Sequence, residues 1–267
     1  MQFGAGFAVT LFDRLGPAGA VILRLAIAAV VLVAVWRPDV RRLGPRERRL
    51  VVAFGCSLGL MNWAFYESID RIPLGVAVTL EFLGPLGVAV AGSRRALDVV
   101  WVLMAGAGVV LLAWGGTGAL DTAGVLLALA AGACWAAYIL LSARTGAAIA
   151  GGAGLALAMV PAAVIALPAG IAQGGSELLV PELLAAGAAV ALASSVIPYS
   201  LELEALRRLP ASVFGVLMSL DPAIAALSGF VVLGQDLSGR QIAAMALVIV
   251  ASAGAAALGG RRPSLDV

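Results

Sequence analysis

Three charged residues stand deep inside apolar runs of the sequence: Arg24 in Val21-Ile22-Leu23-Arg24-Leu25, Glu81 in Thr79-Leu80-Glu81-Phe82, and Asp221 in Ser219-Leu220-Asp221-Pro222. Each lies eight to eleven residues into its run, so a helical rise puts it ~12–16 Å from the nearer end, close to mid-bilayer. A charge at that depth costs at least ~2.5 kcal/mol and needs a partner, a proton, water or a functional reason. Gly84 and Pro85 follow Glu81 closely, and Pro222 follows Asp221 directly. Proline removes a donor and frees a carbonyl, and broken helices at mid-depth are where membrane carriers hold substrates and coupling ions. The plainer alternative is that each acid is paired with Arg24 or protonated in a packed interface. Arg24 has two roles open to it: gripping a substrate carboxylate with its planar fork, or serving as a fixed counter-ion to Glu81. If it neutralises one acid, the other stands unpaired in low dielectric, able to exchange a proton as access alternates.

Polar and aromatic residues recur at similar depth: Asn62, Trp63 and Tyr66; Trp135 and Tyr138; Ser194, Ser195 and Tyr199. They fit a cavity lining, although Trp and Tyr serve equally well in interfacial belts. Glu204 stands four residues before Arg208 and reads as a helix-end ion pair, whereas Glu202, two residues deeper, stays open between site and surface. Glu67 sits beside Asp70 and Arg71, where snorkelling is cheap. The candidate substrate- and proton-binding set is Glu81, Asp221, Arg24, Asn62, Tyr66, Trp135, Tyr138, Tyr199 and Glu202. The sequence has no histidine, which removes His-ligated zinc, His-ligated haem and Ser-His triads. Cys56 and Cys134 both lie in apolar runs and read as small buried hydrophobes. No cofactor or metal is expected.

These residues must be positioned by membrane-spanning helices. Of 267 residues, 62% are hydrophobic and 12% charged, with a mean hydropathy of +1.07, far from a soluble domain's composition. Disorder and nucleic-acid binding are excluded on the same grounds. Apolar runs against polar breaks predict helices near 17–36, 50–69, 74–92, 98–116, 122–143, 151–172, 182–206, 211–233 and 239–259, with residues 1–12 a fragment of one more. Gly55 and Gly59 form a small-xxx-small pair suited to close packing. No basic leader precedes the opening apolar run, so no cleavable signal peptide is expected.

An internal repeat organises the spans. Arg71-Ile72-Pro73 matches Arg208-Leu209-Pro210 at an offset of 137, and Pro85 matches Pro222, Glu67 matches Glu204 and Gly92 matches Gly229 at the same offset. The partner of the segment opening at 122 would then begin about 16 residues before Met1, so the chain is expected to start inside its first helix. With the loop at 37–49 in the cytoplasm, thirteen loop arginines fall inside and three (Arg14, Arg71, Arg240) outside. Five helices per half then make the halves inverted. The expected architecture is an all-α polytopic membrane protein of about ten spans in two inverted five-helix repeats, residues 1–116 and 117–262, with 263–267 a cytoplasmic tail.

Several stretches resemble the EamA-type drug/metabolite transporter superfamily, and within it the threonine/homoserine exporter group: Ser57-Leu58-Gly59-Leu60-Met61-Asn62, Ile72-Pro73-Leu74-Gly75-Val76-Ala77-Val78, Glu81-Phe82 with Gly84-Pro85-Leu86, Gly132-Ala133-Cys134-Trp135-Ala136, Pro198-Tyr199-Ser200-Leu201-Glu202, and the run from Phe214-Gly215 to Pro222-Ala223. Asp221 and Gln235 stand where that family commonly has glutamate. The resemblance implies a proton-driven exporter of small amino acids in the cytoplasmic membrane, with a small-molecule substrate, protons and lipid as its partners, a homodimer as a possible assembly, and no nucleic acid. The alternatives are a carrier of another small metabolite or drug and, more remotely, a polytopic membrane enzyme.

Overall fold

The computed structural model describes residues 1–91, 96–113, 120–201 and 217–259. Every regular element among them is helical: α1 (Gln2–Val9), α2 (Phe12–Trp36), α3 (Pro45–Ile69), α4 (Leu74–Glu81), α5 (Leu83–Ala91), α6 (Ala96–Ala113), α7 (Thr122–Ala148), α8 (Ala153–Gly174), α9 (Pro181–Ala191, prolonged by a wide turn at Leu192–Val196), α10 (Asp221–Leu233) and α11 (Gly239–Gly259). Six described helices are long and apolar enough to cross a membrane, and three shorter apolar ones accompany them.

The distribution of polarity is that of a membrane protein. Val30, Val35, Leu103, Leu126, Val164, Phe230 and Val231 point outward, while Arg24, Asn62, Glu67, Ser68, Thr79 and Glu81 are buried. In water that arrangement would expose apolar surface at ~25 cal/mol per Å²; in lipid it costs nothing, and helix association rests on close packing instead. The glycine pair read from sequence does this. Gly55 lies against the Ala158 carbonyl and Pro161 of α8, and Gly59 against Ala162, so close that a Cβ at either would collide. α3 is also tied to α7 by two hydroxyls, Ser57 Oγ donating to the Cys134 carbonyl and Ser68 Oγ to the Gly124 carbonyl, at 2.7 and 2.8 Å.

Several boundaries differ from expectation for local reasons. α3 starts at Pro45 rather than near 50 because Gly44 N–H donates to Glu47 Oε2 at 2.7 Å, and proline is suited to a helix's first turn. The run at 74–92 divides at Phe82, one residue past Glu81, into α4 and α5. α2 extends back to Phe12 across a break at Gly16, whose φ of 66° is open to glycine, followed by Pro17. Glu202 and Glu204, with Arg207 and Arg208, lie outside the described residues.

Candidate functional site

α2, α3, α4, α7, the α9 extension and α10 converge on one cavity. Arg24, Glu81 and Asp221, the three deep charges, all line it. So do Asn62 from α3, Trp135 and Tyr138 from α7, and Tyr199. Its cavity volume is about 70 Å³, room for several waters. Tyr66 is fully buried behind the wall and touches the lining residues Arg24 and Phe65. Glu202 lies outside the described residues. Sequence reasoning did not single out Met61, Phe65 and Met218, which add apolar lining. Their type carries no signal in a chain this hydrophobic.

Arg24 is seated without an acid. Its Nε donates to Ser195 Oγ at 2.8 Å, Nη1 to the Tyr66 hydroxyl at 2.9 Å, and Nη2 to the Ser194 carbonyl at 3.3 Å. Its Cζ also lies 5.3 Å from the centroid of the Tyr66 ring, within cation–π range. Among the described residues neither Arg24 nor Glu81 forms an ion pair. Glu81 feels Arg24 and Asp221 electrostatically without contacting either. Of the two roles open to Arg24, the geometry therefore matches a receptor for an incoming anion better than a contact counter-ion, because three neutral acceptors hold it and leave its charge standing.

The backbone explains why Glu81 sits where it does. Pro85 has no N–H to donate to the Glu81 carbonyl four residues back. That carbonyl faces Gly132 of α7 closely enough that a Cβ on Gly132 would come within 2.7 Å of it. Gly84 meets the Gly132 carbonyl from the other side of the same crossing. Asp221 is the first residue of α10, and Gln2 of α1 lines the same cavity.

A second polar cluster closes the end of the bundle where α2 begins. Gln173 Nε2 donates to Glu67 Oε1 at 2.8 Å, and Gln173 Oε1 accepts from the Ala18 N–H at 2.7 Å, just past the Gly16–Pro17 break. Arg71 Nη2 donates to Glu67 Oε2 at 3.3 Å, and Arg14 pairs with Glu177. Nearby, Gln235 Oε1 accepts from the Leu74 N–H at 3.0 Å and so joins the loop after α10 to the start of α4. Glu67 thus belongs to this closure and not to the cavity. The two glutamines were legible only as polar residues beside glycine at the ends of apolar runs.

Comparison with known proteins follows the same lines. The pattern of the EamA-like transporter family matches residues 122–256. The threonine/homoserine exporter RhtA of Salmonella typhimurium (strain LT2) is 44% identical over 267 residues, covering 99% of this chain and 90% of that protein. The protein of the same name from Escherichia coli (strain K12) is 44% identical over 256 residues, covering 95% and 86%. One solved crystal structure shares the fold with a TM-score of 0.62 and 23% identity, over 97% of this chain and 95% of that one.

Proposed function

This chain belongs to the EamA-like transporter family, and on that premise we propose that it exports small amino acids of the threonine and homoserine kind in exchange for protons. It is a membrane transporter and not an enzyme. The observation that carries the reading is the cavity that one arginine and two carboxylates from three helices line together, with Arg24 and Glu81 in no contact ion pair among the described residues. A zwitterion complements that set. Its carboxylate would meet Arg24, and its ammonium would meet Glu81 or Asp221. Substrate release would withdraw the ammonium from an acid in low dielectric and leave that acid ready to take up a proton, which couples the two movements. Asn62, Tyr138 and Tyr199 supply polar groups around that set, and Trp135 an aromatic wall.

The carrier architecture that suits this is ten spans in two inverted halves, residues 1–116 and 117–262, in the cytoplasmic membrane with the C-terminus inside. It is supported by the sequence offset of 137, by the arginine bias, and by six long and three shorter apolar helices beside the short α1. In that orientation the Gln173 and Gln235 clasps face the outside.

The test is reconstitution. In proteoliposomes containing a trapped pH dye, a threonine or homoserine gradient should drive proton movement the opposite way, and an expressing strain should tolerate otherwise toxic threonine. A pH signal that answers only to some other class of metabolite would replace the substrate assignment, and threonine flux without proton movement would remove the antiport.

A further inference from the structure

The helix that continues α9 departs from α-geometry between Leu192 and Val196, where the Ile197 N–H donates to the Leu192 carbonyl five residues back. Such wide turns are rare and need a cause. Pro198 supplies one. In a regular helix residue 198 would donate its N–H to the Ser194 carbonyl, and proline has none to give. The donor that this carbonyl receives is Arg24 Nη2, 3.3 Å away, while the next residue's side chain, Ser195 Oγ, accepts from Arg24 Nε at 2.8 Å. A regular helix points its carbonyls along its axis and fans successive side chains out by ~100°. One widened turn with a missing donor lets a main-chain carbonyl and the neighbouring hydroxyl meet the same guanidinium. Ser194 and Ser195 are at most 1% exposed and Arg24 is 6% exposed, so these bonds act where water does not compete.

We infer that Pro198 is a positioning residue for substrate recognition: by withholding its N–H it opens the Ser194 carbonyl to Arg24, and with Ser195 and Tyr66 it holds the guanidinium through neutral acceptors. This rests on the amino-acid carrier reading above. A carboxylate in contact would fix Arg24 as firmly but would cancel the charge needed for an anionic group. The neutral seat uses three of the five guanidinium N–H groups and leaves two, with the whole charge, for the carboxylate end of the substrate.

The experiment compares wild type with Pro198→Ala and Ser195→Ala in proteoliposomes, with threonine and threoninol, its analogue with the carboxyl group reduced to an alcohol, as competitors of labelled threonine uptake. Pro198→Ala restores an N–H to compete for the Ser194 carbonyl. It should raise the threonine KM about tenfold, the weight of one charged hydrogen bond, at little cost to maximal rate. Threoninol, with no carboxylate for Arg24, should compete as before. Ser195→Ala should act in the same direction, and the double variant should fall short of the product of the two effects because both work through one guanidinium. Equal loss for threonine and threoninol, or fully multiplicative effects, would overturn the inference in favour of a general packing role. Should wild type take up no amino acid at all, the substrate reading fails by itself. The seat is then read by nitrogen NMR of the guanidinium Nε–H, identified by its absence in Arg24→Lys. It should exchange slowly with solvent in wild type and quickly in Pro198→Ala, and identical exchange in the two would sink the positioning role independently of substrate.

Discussion

The break that carries Glu81 and the break that carries Asp221 are backed by different surroundings. Behind Glu81 two backbones cross in near contact, Gly84 against the Gly132 carbonyl and Gly132 against the Glu81 carbonyl, and the residue is 7% exposed. Asp221 opens α10 and is only partly buried, with Gln2 lining the same cavity. At an offset of 137 Pro85 answers Pro222, but Glu81 answers Met218 and Asp221 answers Gly84, so the two acids do not match each other at that spacing. One carboxylate is carried on a tightly packed backbone crossing, and the other is more exposed. That division suits a carrier in which one acid keeps the proton and the other accommodates changing cargo.

The comparison can be broken in order of effect. Glu81→Gln should lower substrate-driven proton movement at least about 100-fold, the scale of losing a proton-transferring group, and Asp221→Asn should lower it only about tenfold; the reverse ranking in a pH-dye assay would invert the assignment. Gly132→Ala, which drives a Cβ into the Glu81 carbonyl, should destabilise the folded protein by ~1–3 kcal/mol in detergent unfolding. Gly87→Ala on the adjoining turn meets nothing within 4 Å and should leave that midpoint unchanged. If both glycine variants behave alike, the tight crossing is not what distinguishes the Glu81 break. Gln235→Leu removes the acceptor for the Leu74 N–H where α4 begins. It should cost about 1 kcal/mol in the same detergent unfolding. The smallest effect belongs to Arg14→Ala: its partner Glu177 is more than a third exposed and Arg14 more than half, so unfolding should shift by less than about 0.5 kcal/mol.

Much of this was legible residue by residue. The runs at 17–36, 122–143, 151–172 and 239–259 became helices close to those bounds, because apolar length alone decides whether a segment can lie in lipid. Gly55 and Gly59 marked a contact, though not that α8 would fill it. Arg24, Glu81 and Asp221 were conspicuous one by one, because the cost of a buried charge is paid at a single position and can be read from its immediate neighbours.

Partnership was not legible in that way. Arg24 meets Tyr66 across 42 residues and Ser195 across 171, and Gln173 meets Glu67 across 106; nothing in the apolar background announces these pairs. A helix that is hydrophobic all round has no strong moment to fix which face turns inward. Its rotation, and hence which polar groups meet, is decided by where glycines allow backbones to approach and prolines release a carbonyl. From the linear chain one can tell that three charges must be accommodated within the bilayer. Only the packed bundle settles that the cation rests on serines and a tyrosine, because that outcome depends on several helices arriving together and not on any one of them.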